Sequence, residues 1–196
     1  SVHARLPHHH LGAFVAIGVV LLGLAVNTVS VLRIHPHYLS YFNEIVGPEH
    51  GWKHALDCNV DWGQDLLHLK RWINENPQAK PLNLACIAGV DPHVFGIEYR
   101  LAPFGPISDP TVKDRIDADI GPRPGWFAVS AGLRAGQKFG TYGEDGRWIR
   151  LSHDVYSYFR FFEPVARAGY SIYIYHVTRD DANRLRRELG LAELAQ

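Results

Sequence analysis

Hydrophobic positions are distributed unevenly along this chain, and one stretch dominates. From Leu11 to Leu32 there are 22 residues without a charge: 16 are apolar, three are glycine, and only Asn27, Thr28 and Ser30 are polar. As a helix rising about 1.5 Å per residue the stretch would be about 33 Å long, enough to cross a hydrocarbon core of about 30 Å. A transmembrane helix is expected over residues 11–33, after a short lead of residues 1–10. Glycine and β-branched residues are tolerated in such a helix because lipid offers the backbone no competing partner. A buried core helix and the apolar part of a signal peptide are the alternatives. The second is usually shorter and ends at small residues, whereas this run leads into Arg33-Ile34-His35-Pro36. Charge does not set the orientation, because Arg5 on one side balances Arg33 on the other.

Residues 34–47 continue with a different pattern. Pro36 fits the first turn of a helix, Gly47 its end, and Tyr38, Leu39, Phe42, Ile45 and Val46 fall on one face. A short amphipathic helix at the membrane surface is expected, with His35, His37, Tyr38, Tyr41 and Phe42 at headgroup level, where a ring can be half buried and half hydrated. From residue 48 to 178 the pattern is that of an α/β domain. Strands are predicted at His54–Cys58, Leu82–Ala88, Trp126–Ala131 and Ser171–Val177. Helices are predicted at Trp62–Asn76 and at His153–Ala168, the latter bent by Pro164. A turn follows at Asp91–Gly96, a long connection at Pro103–Pro124 and a glycine-rich loop at Gly132–Gly146. Strands alternating with helices predict a three-layer α/β domain with a mostly parallel sheet of about four strands. The tail, residues 179–196, is read as a solvated terminal helix, with a lipid-headgroup or partner contact through Arg184, Arg186 and Arg187 as the alternative.

Length and charge narrow this only slightly. The 196 residues suit one domain with an appendage. Twenty Lys+Arg balance twenty Asp+Glu, so there is no overall basic field to hold nucleic acid. The sequence contains no methionine and begins Ser1-Val2-His3, which favours a processed product or a piece of something longer.

Polar groups converge most densely in Asp57-Cys58-Asn59-Val60-Asp61-Trp62-Gly63-Gln64-Asp65, between the first predicted strand and helix. Ligands of open parallel sheets bind at such strand ends, where helix N-termini point. Part of the segment has a structural reading: Asp61 with Gln64 fits a capping box, and Asp65 in the same turn suits the helix dipole. Capping does not account for Asp57, Asn59 or Trp62. The spacing Asp57-x-Asn59-x-Asp61 opens like a calcium loop, but Trp62 stands where glycine is needed and His68 where a bidentate Glu is needed. No dinucleotide fingerprint, P-loop or Gly-x-Ser-x-Gly elbow occurs. Paired carboxylates such as Asp57 and Asp61 could serve a glycosidase, though sequence does not give their separation. His35 and His37 lack a third metal ligand at a recognisable spacing, and His8-His9-His10 is too short a tract to read as a site. Cys58 and Cys86 fall near neighbouring strand ends; two separate buried thiols are the simpler reading, a disulfide the other.

The chain nonetheless resembles a family. The membrane-spanning end, the segment His35-Pro36-His37-Tyr38-Leu39-Ser40-Tyr41-Phe42-Asn43-Glu44 and the run Asp57 to Leu66 are similar to the C-terminal region of bacterial polytopic glycosyltransferases. These are akin to dolichyl-phosphate-mannose protein mannosyltransferases, which use polyprenyl-phosphate sugars. Further stretches of likeness are Gly89–Pro92 with Phe95–Ile97, Gly125–Ser130 and Ala168–Tyr175. The resemblance implies an extracytoplasmic α/β domain after the last span of an inner-membrane protein. Its partners would be the bilayer, upstream membrane helices, a polyprenyl-phosphate sugar and a glycan or protein acceptor. The catalytic acid of that class lies in an upstream loop, so no catalytic residue is assigned here. No cofactor is expected in this part, a divalent cation being compatible with the full protein. The expected role is an accessory, glycan- or acceptor-contacting domain, with Asp57, Asn59, Asp61, Gln64 and Asp65 hydrogen bonding to hydroxyls and Trp62 stacking on a sugar ring. A single-span anchored binding module and a carboxylate-dependent hydrolase are the other function classes.

Overall fold

A computed structural model of the chain describes residues 8–48, 50–54, 61–106 and 120–195. The apolar stretch forms helix α1 (His8–Ile34), whose part Gly12–Ile34 is long and apolar enough to cross a membrane. Only 6% of its apolar window is buried inside the molecule, and Phe14, Leu22 and Leu32 are each about two-thirds exposed. A core helix is apolar all round because other elements cover it. Among the described residues only the end of α1 at Ile34 is buried, unlike a helix inside a core.

The amphipathic helix expected over residues 34–47 does not form. The chain leaves α1 through a bend, makes one 3-10 turn at Tyr38–Ser40 and another turn at residues 44–46. Asn43 explains much of this: its Oδ1 accepts hydrogen bonds from the N–H groups of Ile45 (3.0 Å) and Val46 (2.9 Å), capturing amides that a continuing helix would use.

Helix α2 (Leu66–Glu75) buries Leu66, Leu69 and Ile73. It starts four residues later than predicted because the residues before it close a turn of their own. Asp61 Oδ1 accepts from Gly63 N (3.0 Å), and Gln64 Oε1 accepts from Trp62 N (2.7 Å). The expected capping partners are therefore both engaged, but in a turn that precedes the helix. The strand expected at His54–Cys58 falls almost wholly outside the described residues; His54 itself follows a 3-10 turn at Gly51–Lys53.

Seven strands occur among the described residues: β1 (Leu82–Ala85), β2 (Arg100–Leu101), β3 (Gly125–Ser130), β4 (Gly140–Tyr142), β5 (Trp148–Arg150), β6 (Ala166–Ala168) and β7 (Ile172–Val177). Five form one sheet in the order β2-β1-β3-β7-β6. Strands β2, β1 and β3 run parallel, whereas β7 is antiparallel to both β3 and β6. The sheet is mixed and five-stranded, which corrects the mostly parallel, four-stranded expectation. The reason is the segment predicted as a helix over His153–Ala168. Its only helical part is a 3-10 turn at Ser157–Phe161; past Pro164 the chain is extended, and a tight turn at Gly169 brings β7 back alongside β6.

Period-two alternation gives the sheet two apolar faces. Leu82, Leu84, Ala128, Ile172 and Ile174 pack against α2. On the other face Phe127, Val129, Tyr173, Tyr175 and Val177 meet Leu151, Val155, Tyr156, Tyr158, Phe159 and Phe162. Helix α4 (Arg179–Glu188), preceded by the short α3 (Ala131–Arg134), adds Ala182 and Leu185 to that second layer. The tail helix is thus packed rather than solvated. Its Arg186 is buried and donates to the carbonyls of Ala192, Ile120 and Pro122, while Arg184 and Arg187 pair with Asp181 and Glu193. The predicted loop at Gly132–Gly146 contains α3 and the first strand of the β4–β5 hairpin, a two-stranded sheet that stands apart from the main one.

Gly169 has φ near +59°, and a Cβ there would run into the carboxylate of Asp65. Gly169→Ala is therefore expected to lower stability by about 2 kcal/mol or more, from backbone strain plus displacement of a buried carboxylate. Urea denaturation of the detergent-solubilised chain checks this. An unchanged midpoint would show that the turn and Asp65 are not coupled.

Candidate functional site

Of the segment singled out from the sequence, residues 61–65 are described, and Trp62 and Gly63 lie against Ala88 and Gly89, just beyond the C-terminal end of β1. Asp57 and Asn59 lie outside the described residues, and Asp61, Trp62, Gln64 and Asp65 are placed in two distinct environments.

Asp61 is 7% exposed, its Oδ1 bonded to Gly63 N and its Oδ2 buried with no hydrogen-bond partner among the described residues. Burial pushes its carboxyl up from about 3.8 to about 7. The nearby hydroxyls of Ser130 and Ser171 and the Gly63 N–H pull it partly back, and the charge of Asp65 adds to the rise. Ser130 is placed by the end of β3, where its Oγ accepts from Ile87 N (2.8 Å).

Trp62, the neighbour of Asp61, turns outward and is about half exposed. With Phe139, Tyr142, Trp148 and the backbone of Ile87–Gly89 it lines a cleft of about 250 Å³. The β4–β5 hairpin supplies three of these four rings. Tyr142 and Trp148 are a cross-strand pair with ring centroids 5.0 Å apart in a T-shape, and Phe139 meets the same indole edge-on at 5.8 Å. Gly140 is required between them, because a Cβ there would occupy the space of the Trp148 ring. Cys86 lies behind the cleft as a buried thiol, pushed well up by burial; Cys58, its expected neighbour, lies outside the described residues.

Asp65 belongs to the second environment. It is 1% exposed, and its Oδ2 accepts from Tyr170 N (2.9 Å), Ser171 N (2.8 Å) and Ser171 Oγ (2.8 Å). Its Oδ1 faces His37 Nδ1 at 3.6 Å. The ring of His37 lies 4.6 Å from that of His68 and stands edge-on to Tyr170. His37, Asp65 and His68 thus offer three ligand atoms within 4.8 Å of one another. Of the remaining juxtamembrane residues, His35 Nδ1 and the Tyr38 hydroxyl are 2.7 Å apart, Tyr38 and Tyr41 are exposed, and Phe42 lies half buried against His54.

The sequence reading missed Phe139, Tyr142 and Trp148, which sit in a segment read as a glycine-rich loop. It also met His68 only as a failed calcium ligand. The signal for His68 was its spacing: Asp65 and His68, three apart on a helix, share a face. A larger hollow of about 660 Å³ lies at the other end of the sheet, with Lys80, Arg100 and Arg123 in its wall, and holds none of the residues singled out from the sequence.

No family model matches the chain, and no curated protein or solved structure matches it.

The state of Asp61 has a measurable consequence. Unfolded, its carboxyl ionises near 3.8; folded, near 7. Between these values the folded chain holds the extra proton, so stability falls as pH rises from about 4 to 7 and stays low above that window. Asp61→Asn, uncharged at every pH, is expected to flatten this slope and to be more stable than the parent at pH 8. Melting temperatures across pH 4–8 check it.

Proposed function

We propose that this chain is a membrane-anchored, glycan-contacting domain, the C-terminal accessory part of an integral membrane glycosyltransferase that uses a lipid-phosphate-linked sugar. The observation that carries the reading is the aromatic cleft beside Trp62. Four rings, of which Trp62, Phe139 and Trp148 are 40–52% exposed, line a shallow, open cleft. Exposed, pre-positioned aromatic faces are what the apolar side of a pyranose ring stacks on, and polar groups around them supply hydrogen bonds to hydroxyls.

The anchoring part of the reading is supported by α1, whose exposed apolar surface matches lipid. Exposed Tyr38, Leu39 and Tyr41 directly after it suit the headgroup layer. The domain then lies on the side of the membrane where lipid-linked sugars are consumed, and its cleft meets the acceptor while chemistry proceeds upstream. Asp65 does not line the cleft: it is buried, with its Oδ2 held by the β6–β7 turn and its Oδ1 facing His37.

The test uses the full chain in a detergent without a sugar headgroup, titrated with neutral mannose-containing and related oligosaccharides. Binding is expected to change tryptophan fluorescence and to release heat. Trp62→Ala and Trp148→Ala are each expected to weaken it about tenfold, roughly the 1.4 kcal/mol that one ring–ring stack contributes. Absence of both signals from a chain that is folded by near-ultraviolet circular dichroism would overturn the reading. Turnover of an oligosaccharide by the isolated chain, lost in Asp61→Asn, would favour the hydrolase instead.

A further inference from the structure

We propose that His37, Asp65 and His68 form a binding site for a transition-metal ion of the zinc class. The site is independent of the glycan-binding reading, since none of its residues lines the aromatic cleft.

The distances fit. His37 Nδ1 and Asp65 Oδ1 are 3.6 Å apart, too far for a hydrogen bond. Two ligands held about 2.0–2.1 Å from one tetrahedral ion lie about 3.4 Å from each other. The whole set lies within 4.8 Å, so small rotations of the imidazoles would close it around an ion. Neither imidazole makes a hydrogen bond among the described residues, although both are packed against each other and the carboxylate. An ion pair between His37 and Asp65 would account for one histidine. It does not explain why the imidazole of His68, stacked near that of His37, approaches the same carboxylate.

The support around the ligands fits as well. Three donors hold Asp65 Oδ2, two from the backbone of the β6–β7 turn and one from Ser171 Oγ, which fixes the carboxylate and leaves Oδ1 as its ligand atom. Such outer hydrogen bonds orient metal-binding carboxylates. Two imidazole nitrogens and one carboxylate oxygen suit Zn²⁺ and its neighbours, whereas Ca²⁺ and Mg²⁺ take shells of oxygen. Three protein ligands leave a fourth position for water, on the side where His37 and His68 are partly exposed. The three residues come from the segment after α1 and from α2, with the β6–β7 turn behind them. A bound ion would tie the end of α1 to the domain.

The test uses the full chain in detergent, with His8, His9 and His10 replaced by Gln to remove a competing imidazole tract, after treatment with a chelator. Titration with Co²⁺ is expected to give the intense visible absorption of a four-coordinate site at one equivalent, abolished when Zn²⁺ displaces it. Zn²⁺ is expected to bind with a micromolar or lower Kd and to raise the Tm. His37→Gln and His68→Gln are each expected to weaken binding tenfold or more and to remove the Tm rise, with folding verified by near-ultraviolet circular dichroism. Asp65 is left intact because it also holds the turn. The proposal is overturned if Co²⁺ keeps the pale spectrum of its hydrated form, or if both variants bind as the parent does.

Discussion

The architecture turns on how one buried carboxylate is satisfied. Asp65 opens α2, yet its side chain does not cap that helix; it reaches across to the turn between β6 and β7 and accepts two N–H groups and a hydroxyl. A carboxylate taken out of water is costly unless donors replace the lost solvation, and here they come from a segment more than 100 residues away in sequence. This long-range contact fixes where α2 sits on the sheet, and the lack of a Cβ at Gly169 is what lets the carboxylate approach so closely. The juxtamembrane His37 then packs against the same group. One interaction thereby sets the relation between the apolar helix, the first domain helix and the returning pair of strands.

The mixed sheet follows from the same turn. With β7 antiparallel to β3, the C-terminal ends of β1 and β3 lie beside the start of β7, so Ser130 and Ser171 both come near Asp61. In an all-parallel arrangement this end would be left to loops and helix N-termini. Here it holds two carboxylates in unequal settings. Asp65 has three donors on one oxygen, while one buried oxygen of Asp61 has no hydrogen-bond partner among the described residues. The difference explains why burial drives Asp61 toward its neutral form at ordinary pH: a proton is the cheapest partner available to it.

Much of the layered core was legible as pattern. The uncharged stretch became α1, Leu66, Leu69 and Ile73 became the buried face of α2, and the apolar runs near residues 82, 126 and 172 became β1, β3 and β7. Long periodic segments carry their own signal because burial imposes the period. Strands β4, β5 and β6 have three residues each, too few to display alternation. The segment around Ser157–Phe162 is expected to be helical, yet Tyr158, Phe159 and Phe162 fill the second core layer from a 3-10 turn and the residue after it, with Phe161 left exposed, so tertiary packing outweighs local pattern. The return of β7 was illegible for a related reason: the β6–β7 hairpin turns at Gly169, with φ near +59°, next to a strand of only three residues. Of the candidate site residues, Asp57 and Asn59 lie outside the described residues, and the other four differ in what their side chains meet. Asp61, Trp62, Gln64 and Asp65 do lie together, but only Trp62 faces the cleft, because Asp65 is taken by the turn and Gln64 by the Trp62 N–H.

That division carries the functional argument further than the motif alone. A polar cluster near a strand end suggests ligand chemistry only while its groups remain available. Here the strongest acceptor is consumed by the fold, so recognition shifts to what the fold leaves exposed. Four rings from two separate elements converge on a cleft, although burying any of them would have stabilised the domain by about 1.5–3 kcal/mol. Keeping three of them 40–52% exposed is the opposite of what stability alone would select. The hairpin packs Tyr142 and Ile149 against the two core clusters yet leaves Trp148 outside, and the glycine that admits the Trp148 ring gives up strand propensity to do so. Coordinated exposure of rings at these positions is what a flat, partly apolar ligand of the kind proposed above would use.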